Sequence, residues 1–327
     1  GRVLAIFPVS QETEVPQGGV CGPRDPPCTP SSVSNMMRRG LVACLLVAAS
    51  ATTLRDVCPN KGFELRIDAP EEPWLLAPHD HPMRDGDAVV SLVQGRRALE
   101  IGGPSPNDVN IYALLASCDN LALFDDVHHN RLGYTDGAPF EPLFDGVAYG
   151  RQIVGDAANL TNHVAVASYE VVYASHVLEH MQDPFGALLG WDRVLEPGGV
   201  MFLILPWRET TFDRLRSPDT LERLLQKHVR AKADASYLME GFEQTVRAMD
   251  MKMDHGFPPG SDHQALRERT LNSPLGMQML HWHVFDFALI RNLLDCLGYE
   301  IIAMDLIRPF HQVVVARKPL LESRGVL

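Results

Sequence analysis

The stretch that decides the fold is residues 169–206, YEVVYASHVLEHMQDPFGALLGWDRVLEPGGVMFLILP. Residues 170–173 form a short apolar run that is typical of a buried strand. Asp183-Pro184 predicts the start of a helix, because proline at the first helical position sacrifices no hydrogen bond. Pro197-Gly198-Gly199 predicts its end, and an apolar strand over residues 200–205 follows. A strand, helix and strand in this order belong in a parallel sheet that is covered on both faces.

The rest of the chain extends this alternation in both directions. At 327 residues it can hold one large α/β domain with appendages, or two small domains. We predict a domain over residues 93–319, preceded by an irregular lead-in over 52–92 and interrupted by a helical insertion over 207–284 that caps the sheet. The predicted elements around the opening stretch are strands 97–101, 120–124, 151–154, 299–306 and 311–316, helices 107–118, 221–233, 237–249 and 287–297, and a loop over 127–150.

Composition narrows the class of substrate. Apolar residues make up 46% of the chain and charged residues 21%, which is ordinary for a globular protein. The formal net charge of −12 disfavours binding to a phosphate backbone, and no stripe rich in Lys or Arg offsets it. We therefore expect a small-molecule substrate and no nucleic acid. The oligomeric state stays open.

The amino-terminal region looks like a targeting segment. Residues 1–35 are rich in Pro, Gly and Ser, and we expect a disordered leader, which translated upstream sequence would explain. Residues 36–51 combine a basic start, a short apolar run and small residues, as in a signal peptide. The run is shorter than the roughly 20 residues that span a bilayer. It favours the secretory pathway or an organelle, with a cytoplasmic protein as the alternative.

The glycosylation sequon at Asn159 conflicts with that expectation. A glycan there would crowd a ligand held after the 151–154 strand. Three interpretations remain open: the site is unused, the protein does not enter the secretory lumen, or no ligand binds at that place.

The six cysteines show no metal-like spacing and no legible disulfide framework. Cys58, Cys118 and Cys296 lie in the predicted lead-in and domain. We expect them to be buried thiols that act as small apolar residues.

Several residues stand where a ligand of a parallel sheet binds, beyond the carboxyl ends of the strands. After the first strand, Glu100, Gly102 and Gly103 form a glycine turn, which by itself indicates only a turn. It lacks the third glycine of dinucleotide folds, and prolines follow it, so a cofactor without a pyrophosphate fits better. The other predicted cofactor-binding residues are Asp125 or Asp126 for ribose hydroxyls, Asp156 with Ala157 for adenine, and Ser175.

These motifs, in this order, resemble class I S-adenosylmethionine-dependent methyltransferases over residues 98–318. Within that class the chain is similar to a methyltransferase type 11-like group that combines EIGGPS, SHxLEH, TFDxxR and HHHVFD motifs. Here they stand at residues 100–105, 175–180, 211–216 and 281–286. Trp282 interrupts the histidine motif, and the insertion lacks acidic and His-Asp features of the group. The resemblance implies an α/β, Rossmann-like, doubly wound and mostly parallel seven-stranded sheet, and S-adenosylmethionine as the cofactor.

Four histidines are the candidates for chemistry. His176 and His180 follow the fourth strand, and His281 and His283 precede the last helix. A histidine can take the proton of an oxygen or nitrogen nucleophile as the methyl group arrives. We predict His176, His180 and His283 as catalytic and His281 as substrate-binding; a structural hydrogen bond is the alternative for each. A metal site of His180, His281 and His283 with Glu179 is conceivable by ligand type but lacks a spacing signature, so no metal is predicted.

Arg214 and Arg216 complete the predicted substrate site, because a guanidinium can clamp a carboxylate or phosphate. An ion pair with Asp213 at the surface is the alternative. The function that follows is methyl transfer from S-adenosylmethionine to an oxygen or nitrogen of a small molecule, a sugar or lipid precursor being one option. The alternatives are a non-catalytic binding protein of the same fold and, third, an NAD(P)-dependent oxidoreductase.

Overall fold

A computed structural model describes residues 57–66, 86–105, 109, 111–123, 135–143, 146–253, 260–273, 276–307 and 309–320. The chain divides into residues 1–53 and the compact unit Leu54–Leu327, and every described residue lies in the second. The expected leader, the signal-peptide-like segment and the candidate ligands Asp125 and Asp126 lie outside the described residues.

The described residues form one mixed sheet of eight strands. The strands are β1 Arg97–Ile101, β2 Ser117–Ala122, β3 Pro139–Phe140, β4 Gly150–Val154, β5 Tyr169–Ser175, β6 Leu195–Pro206, β7 Glu300–Ile307 and β8 His311–Arg317. The helices are α1 Gly86–Val93, α2 Pro184–Val194, α3 Leu221–Ala233, α4 Phe242–Ala248, α5 His263–Asn272, α6 Gly276–Met279 and α7 Phe287–Leu297. None of the described helices has the length and apolar character needed to cross a membrane.

The order of the strands is β3-β4-β2-β1-β5-β6-β8-β7. Strands β4, β2, β1, β5 and β6 are parallel, and β8 runs antiparallel between β6 and β7. The chain leaves β1 toward β2 on one side and returns to β5 on the other, so the strand order reverses between β1 and β5. Ligands of open α/β sheets bind at such a reversal. The strand not expected is β3, two residues within the predicted loop that pair antiparallel with β4.

Both faces of the sheet are buried. In β5, Val172 and Ala174 belong to a core with α2 and α7, whereas Val171 and Tyr173 belong to a second core with α1 and the segment 111–115. Successive side chains of a strand point to opposite faces, so a strand that is apolar throughout requires cover on both sides. The doubly wound α/β fold is therefore confirmed.

Helix boundaries follow the capping residues at the two helices that frame the site. The Asp183 carboxylate accepts from Gly186 N at 2.9 Å at the start of α2. The Asp286 carboxylate accepts from Leu289 N at 2.8 Å at the start of α7, which ends at Gly298 with φ of 85°. A side-chain acceptor satisfies an amide that would lack a partner in the first turn. Both predicted starts are confirmed.

Three predicted boundaries are wrong. Helix α2 already ends at Val194, and Pro197-Gly198-Gly199 lies within the first, irregular part of β6. The helix expected over 107–118 is reduced, in its described part, to one 3₁₀ turn at Tyr112–Leu114. Strand β2 then begins at Ser117, because Ser117 pairs with Arg97 at the start of β1. The parallel register therefore sets this boundary, and the local pattern does not.

The insertion over 207–284 contains α3 to α6, and in place of the single helix predicted over 237–249 it has a 3₁₀ turn at Ala235–Met239 followed by α4. It has a small core of its own, made of Phe242, Val246, Met249, Leu266, Leu280 and Trp282. Trp282 N donates to Glu179 O at 2.8 Å, so the insertion is bonded to the loop that follows β5. It therefore lies over the carboxyl edge of the sheet.

The prediction of isolated thiols is wrong for two of the three cysteines. Cys58 and Cys296 form a disulfide between the lead-in and α7, 238 residues apart in sequence. Asn60 N donates to Cys296 O at 3.0 Å and Asn60 Nδ2 to Asp295 O at 2.9 Å, so backbone and side-chain bonds hold the two segments together at the bridge. Cys118 is a buried free thiol, as expected.

Candidate functional site

A cavity of about 310 Å³ opens at the carboxyl ends of the parallel strands, where the strand order reverses. Its lining comes from the ends of β1 and β2, the loops after β4 and β5, and the insertion: Ile101, Gly102, Leu121, Leu123, Gly155, Asp156, Ala157, Ala158, His176, Val177, His180, Met181, Gln182, Met277 and Gln278. Five predicted site residues, Gly102, Asp156, Ala157, His176 and His180, are therefore together here. Glu100, Gly103 and Ser175 are buried beside it and are not part of the described lining.

Gly102 forms the turn after β1. Its φ is 78°, in the left-handed region, and a Cβ there would lie 2.6 Å from the Val177 side chain. Its N–H donates to Leu121 O at 2.8 Å, so the turn is fixed to β2. Only glycine permits both this conformation and the close approach of the two loops.

Glu100 supports the turn from behind. Its Oε2 accepts from the Tyr112 hydroxyl at 2.8 Å, and the same hydroxyl oxygen accepts from Ser105 N at 2.8 Å. Burial, followed by the Glu100 charge, raises the pKa of Tyr112 far above its ordinary value, so the phenol remains a donor. Gly103 is needed because a Cβ would overlap the Glu100 carboxyl group. The structure thus gives Glu100 a supporting contact; its contact with a cofactor stays a prediction.

Asp156 shapes the loop after β4. Its two carboxylate oxygens accept from Ala158 N at 2.9 Å and from Asn159 Nδ2 at 3.0 Å. Asp156 therefore caps the following 3₁₀ turn, Ala157–Asn162, which presents Ala157 and Ala158 to the cavity. Its predicted bond to adenine would have to be made in addition to these two.

A second cavity of about 230 Å³ lies between the insertion and the loop after β5. Its lining is His180, Phe212, Met249, Leu266, Arg269, Thr270, Gly276, Met279, Leu280 and His281. The insertion supplies nearly all of these residues. His180 belongs to the lining of both cavities.

His180 is oriented by the insertion. Its Nδ1 lies 3.2 Å from Leu280 O. A carbonyl oxygen can only accept, so Nδ1 carries the proton and Nε2 has a free lone pair. Burial and the adjacent His281 hold the pKa of His180 well below its ordinary value, which keeps the ring neutral at neutral pH.

His176 lies at the end of β5 with φ of 53°, an uncommon backbone conformation for a residue with a Cβ. The bond from its N–H to Ile204 O, 2.9 Å long, holds it there. Its Nε2 is 2.9 Å from Nδ1 of His311, the first residue of β8. His311 was not among the predicted site residues, since only the register of β6 with β8 brings it to the site.

His281 is held by a buried ion pair. Asp213 is 2% exposed, and its Oδ2 lies 2.5 Å from His281 Nδ1. Its Oδ1 accepts from Arg216 Nη1 at 2.6 Å, and the Arg216 guanidinium also donates to the carbonyl oxygens of His281 and Trp282. The pairing with Asp213 is thus present, but it is buried, whereas a surface pair was expected.

Neither predicted arginine belongs to the described lining of the two cavities. Arg216 is used in the cluster around Asp213, and Arg214 donates from Nε to Asp250 Oδ2 at 2.6 Å. The geometry therefore favours a supporting position for Arg216, and a substrate clamp by either residue stays a prediction.

His283 also lies away from both described linings. Its Nδ1 is 3.0 Å from Asp219 Oδ2 and its Nε2 is 3.3 Å from Gln182 O. Burial lowers its pKa, although the Asp219 carboxylate opposes that shift. Both ring nitrogens are engaged in fixing the loops, which does not suit the catalytic position predicted for it.

Glu179 is at the centre of the histidines and was not among the predicted catalytic or binding residues. It is fully buried, and its Oε1 lies 3.8 Å from His176 Nδ1, 3.8 Å from His180 Nε2 and 3.9 Å from His281 Nε2. The sequence signal was the acidic residue of the SHVLEH motif. A buried carboxylate is costly unless it is paired, hydrogen-bonded or bound to a metal, so Glu179 and the histidines around it form the main addition that the structure makes to the predicted site.

Comparison with known proteins gives one family match. Residues 142–203, from the loop before β4 to the middle of β6, match the model described as "Methyltransferase domain". No curated protein matches the sequence significantly.

Solved structures give low-identity likenesses. A methyltransferase from Methanosarcina mazei is 16% identical over 71% of this chain and 97% of its own, with a TM-score of 0.41. A putative methyltransferase from Bacillus halodurans is 11% identical over 71% and 96%, also with a TM-score of 0.41. The carbon methyltransferase CurJ is 13% identical over 69% of this chain with a TM-score of 0.37, and the chain spans 49% of it. None of these likenesses bears on the substrate.

Proposed function

We propose that the protein is a class I S-adenosylmethionine-dependent methyltransferase and that it transfers the methyl group of this cofactor to an oxygen or nitrogen of a small molecule. The observation that carries the proposal is His180, which lines both cavities. The cavity at the strand ends would hold the cofactor, and the cavity under the insertion would hold the acceptor. The transferred carbon would lie near the shared histidine.

The chemistry needs little from the protein beyond placement. The lone pair of the acceptor forms a bond to the methyl carbon, the carbon–sulfur bond breaks, and its electron pair neutralises the sulfonium. The acceptor loses one proton, for which His180 Nε2 and the His176–His311 pair are candidate bases, because His176 and His180 line the first cavity. The sulfonium is already activated, so positioning and exclusion of water would supply most of the rate.

The second cavity favours a small and largely apolar acceptor. Five of its lining side chains are large and apolar: Phe212, Met249, Leu266, Met279 and Leu280. Arg269, Thr270 and the two histidines add polar contacts. A few polar groups within an apolar pocket fix the orientation of a ligand. This composition supports a lipid precursor better than a sugar.

The fold could instead be kept for binding alone. The observation in favour is that Asp156 and Glu100, two predicted cofactor ligands, already hold hydrogen bonds within the protein. A non-catalytic protein would bind a ligand in the first cavity and transfer nothing.

Calorimetric titration with S-adenosylmethionine tests the first step. We expect saturable binding by the wild type and by Ala158→Ser, and strong loss of binding by Ala158→Trp, because Ala158 lines the first cavity and is exposed. No binding at millimolar concentration would refute the proposal. Binding without methylation of any acceptor in an extract supplied with methyl-labelled cofactor would favour the binding protein.

We also propose that the protein folds in an oxidising compartment, as residues 36–51 suggest. The Cys58–Cys296 disulfide supports this, because such bonds persist in secretory compartments and are rare in the cytosol. Asn159 is exposed, but the proposed cofactor site next to it requires that it stay unglycosylated, because a glycan there would crowd the ligand. Expression of the full chain in a eukaryotic cell, followed by protease protection and glycosidase treatment, tests this. Complete digestion in intact vesicle preparations would contradict it.

A further inference from the structure

The distances from the Glu179 carboxylate to two neighbouring histidines are too long for direct hydrogen bonds. Its Oε1 is 3.8 Å from His180 Nε2 and 3.9 Å from His281 Nε2. Hydrogen bonds between nitrogen and oxygen are about 2.7–3.2 Å long. Ligand atoms that share a tetrahedral zinc ion at about 2.0–2.1 Å lie about 3.4 Å apart. The two measured separations exceed that spacing by only about 0.5 Å, so small movements would bring these atoms around a shared ion.

The tautomers of the two histidines also favour a cation between these three side chains. His180 Nδ1 donates to Leu280 O, and His281 Nδ1 is 2.5 Å from the Asp213 carboxylate. In the neutral form of each ring, the form that binds a metal ion, the proton is therefore on Nδ1 and Nε2 carries a lone pair. Both lone pairs are on the nitrogens nearest to the Glu179 carboxylate. Three electron-rich atoms facing one another are stabilised by a cation between them.

We propose that Glu179, His180 and His281 bind one divalent transition-metal ion, with Zn²⁺ as the first candidate. The ligand atoms of these three residues all lie within 4.8 Å of one another. Two imidazoles and one carboxylate are a ligand set of zinc sites that keep an open fourth position. Asp213 orients His281 from the far side, as outer carboxylates do for metal-binding histidines.

The location of the ion suggests that it activates the acceptor. This role rests on the methyl transfer proposed above. His180 lines both cavities and His281 lines the second, so the open position would face the acceptor. A hydroxyl bound there would have a lowered pKa and a fixed orientation. The proton of this hydroxyl would be transferred to the His176–His311 pair. Its oxygen would attack the methyl carbon of the cofactor, and the carbon–sulfur bond would break. A hydroxyl acceptor is then preferred over an amine.

The test uses the full chain without a histidine tag, treated with a chelator, loaded with zinc sulfate and desalted. Elemental analysis should find about one zinc ion per chain. Glu179→Gln and His281→Gln should retain less than about a tenth of that amount. His228→Gln is the matched control, because His228 is also buried, with Nδ1 2.6 Å from the Asp183 carboxylate, but lies outside the cluster. It should bind zinc as the wild type does.

Circular dichroism checks that each variant is folded. If a variant does not fold, X-ray absorption at the zinc edge of the wild-type protein tests the site instead. Two imidazole nitrogens and oxygen as the zinc ligands would support the proposed site. A sulfur ligand would overturn it. No zinc in the wild type, or unchanged zinc in both variants, also overturns it. None of these readouts uses S-adenosylmethionine, so failure of the metal site and failure of methyl transfer are told apart.

Discussion

Replacing Asp213 by asparagine should destabilise the protein strongly, although the side chain keeps its size. The carboxylate is 2% exposed and lies between Arg216 Nη1, at 2.6 Å, and His281 Nδ1, at 2.5 Å. Arg216 is itself only 9% exposed. The variant leaves its positive charge buried without a counter-charge, and it places an amide where two groups compete for a carboxylate.

The expected loss in unfolding free energy depends on the hydrogen bonds that Arg216 keeps in the variant. Removing one member of a buried ion pair costs about 3–5 kcal/mol. Arg216 would keep its bonds to the carbonyl oxygens of His281, at 2.7 Å, and Trp282, at 3.0 Å, which partly satisfy the guanidinium. We therefore expect the lower end of the range, about 3 kcal/mol.

Urea unfolding followed by circular dichroism measures the loss, with Glu300→Gln as the control. Glu300 pairs with Arg317 at 2.6 Å, but their side chains are 61% and 46% exposed. An exposed pair contributes about 0–1 kcal/mol. A loss below about 1 kcal/mol for Asp213→Asn, or a loss equal to that of the control, would refute the view that this pair holds His281 in place.

Three other predictions follow from buried groups. Cys58→Ser should lower the unfolding free energy by about 2–5 kcal/mol under oxidising conditions and should change nothing in excess reductant. Gly103→Ala should cost about 1–3 kcal/mol in urea unfolding, whereas Gly95→Ala, with open space around its Cβ, should cost only its backbone strain. Burial lowers the pKa of Lys227 from 10.5 to about 8, so the folded protein binds fewer protons than the unfolded chain between these values. Stability relative to Lys227→Met should therefore rise from pH 8 to pH 10; a pH-independent difference would contradict this.

The sequence predicts the parts of the fold that are determined locally. Asp183 and Asp286 cap their helices as expected, and the apolar runs of β1, β5 and β8 become buried strands. Each of these features depends on residues a few positions apart. The start of β2 is different, because pairing with Arg97 across the sheet sets it at Ser117.

The residues of the site also divide into those that are determined locally and those that are placed by contacts distant in sequence. Gly102 and Asp156 could be predicted from their positions at strand ends, and both line the first cavity. Glu179 could be grouped with His180 and His281 only by ligand type. Its buried position among three histidines required the fold, since His281 is brought there by the insertion, about 100 positions away in sequence. The same holds for His311, which reaches His176 through the register of β8.

The bridge between Cys58 and Cys296 also turns most of the protein into a closed covalent ring. A single proteolytic cut between residues 59 and 295 opens that ring but releases no fragment, since the two pieces remain joined through sulfur. The nicked protein would run as one molecule in a denaturing gel and separate only after a thiol is added. A lone cleavage in any of the strands β1 to β6 or in the insertion, all of which lie within the ring, therefore leaves both halves of the site on one molecule.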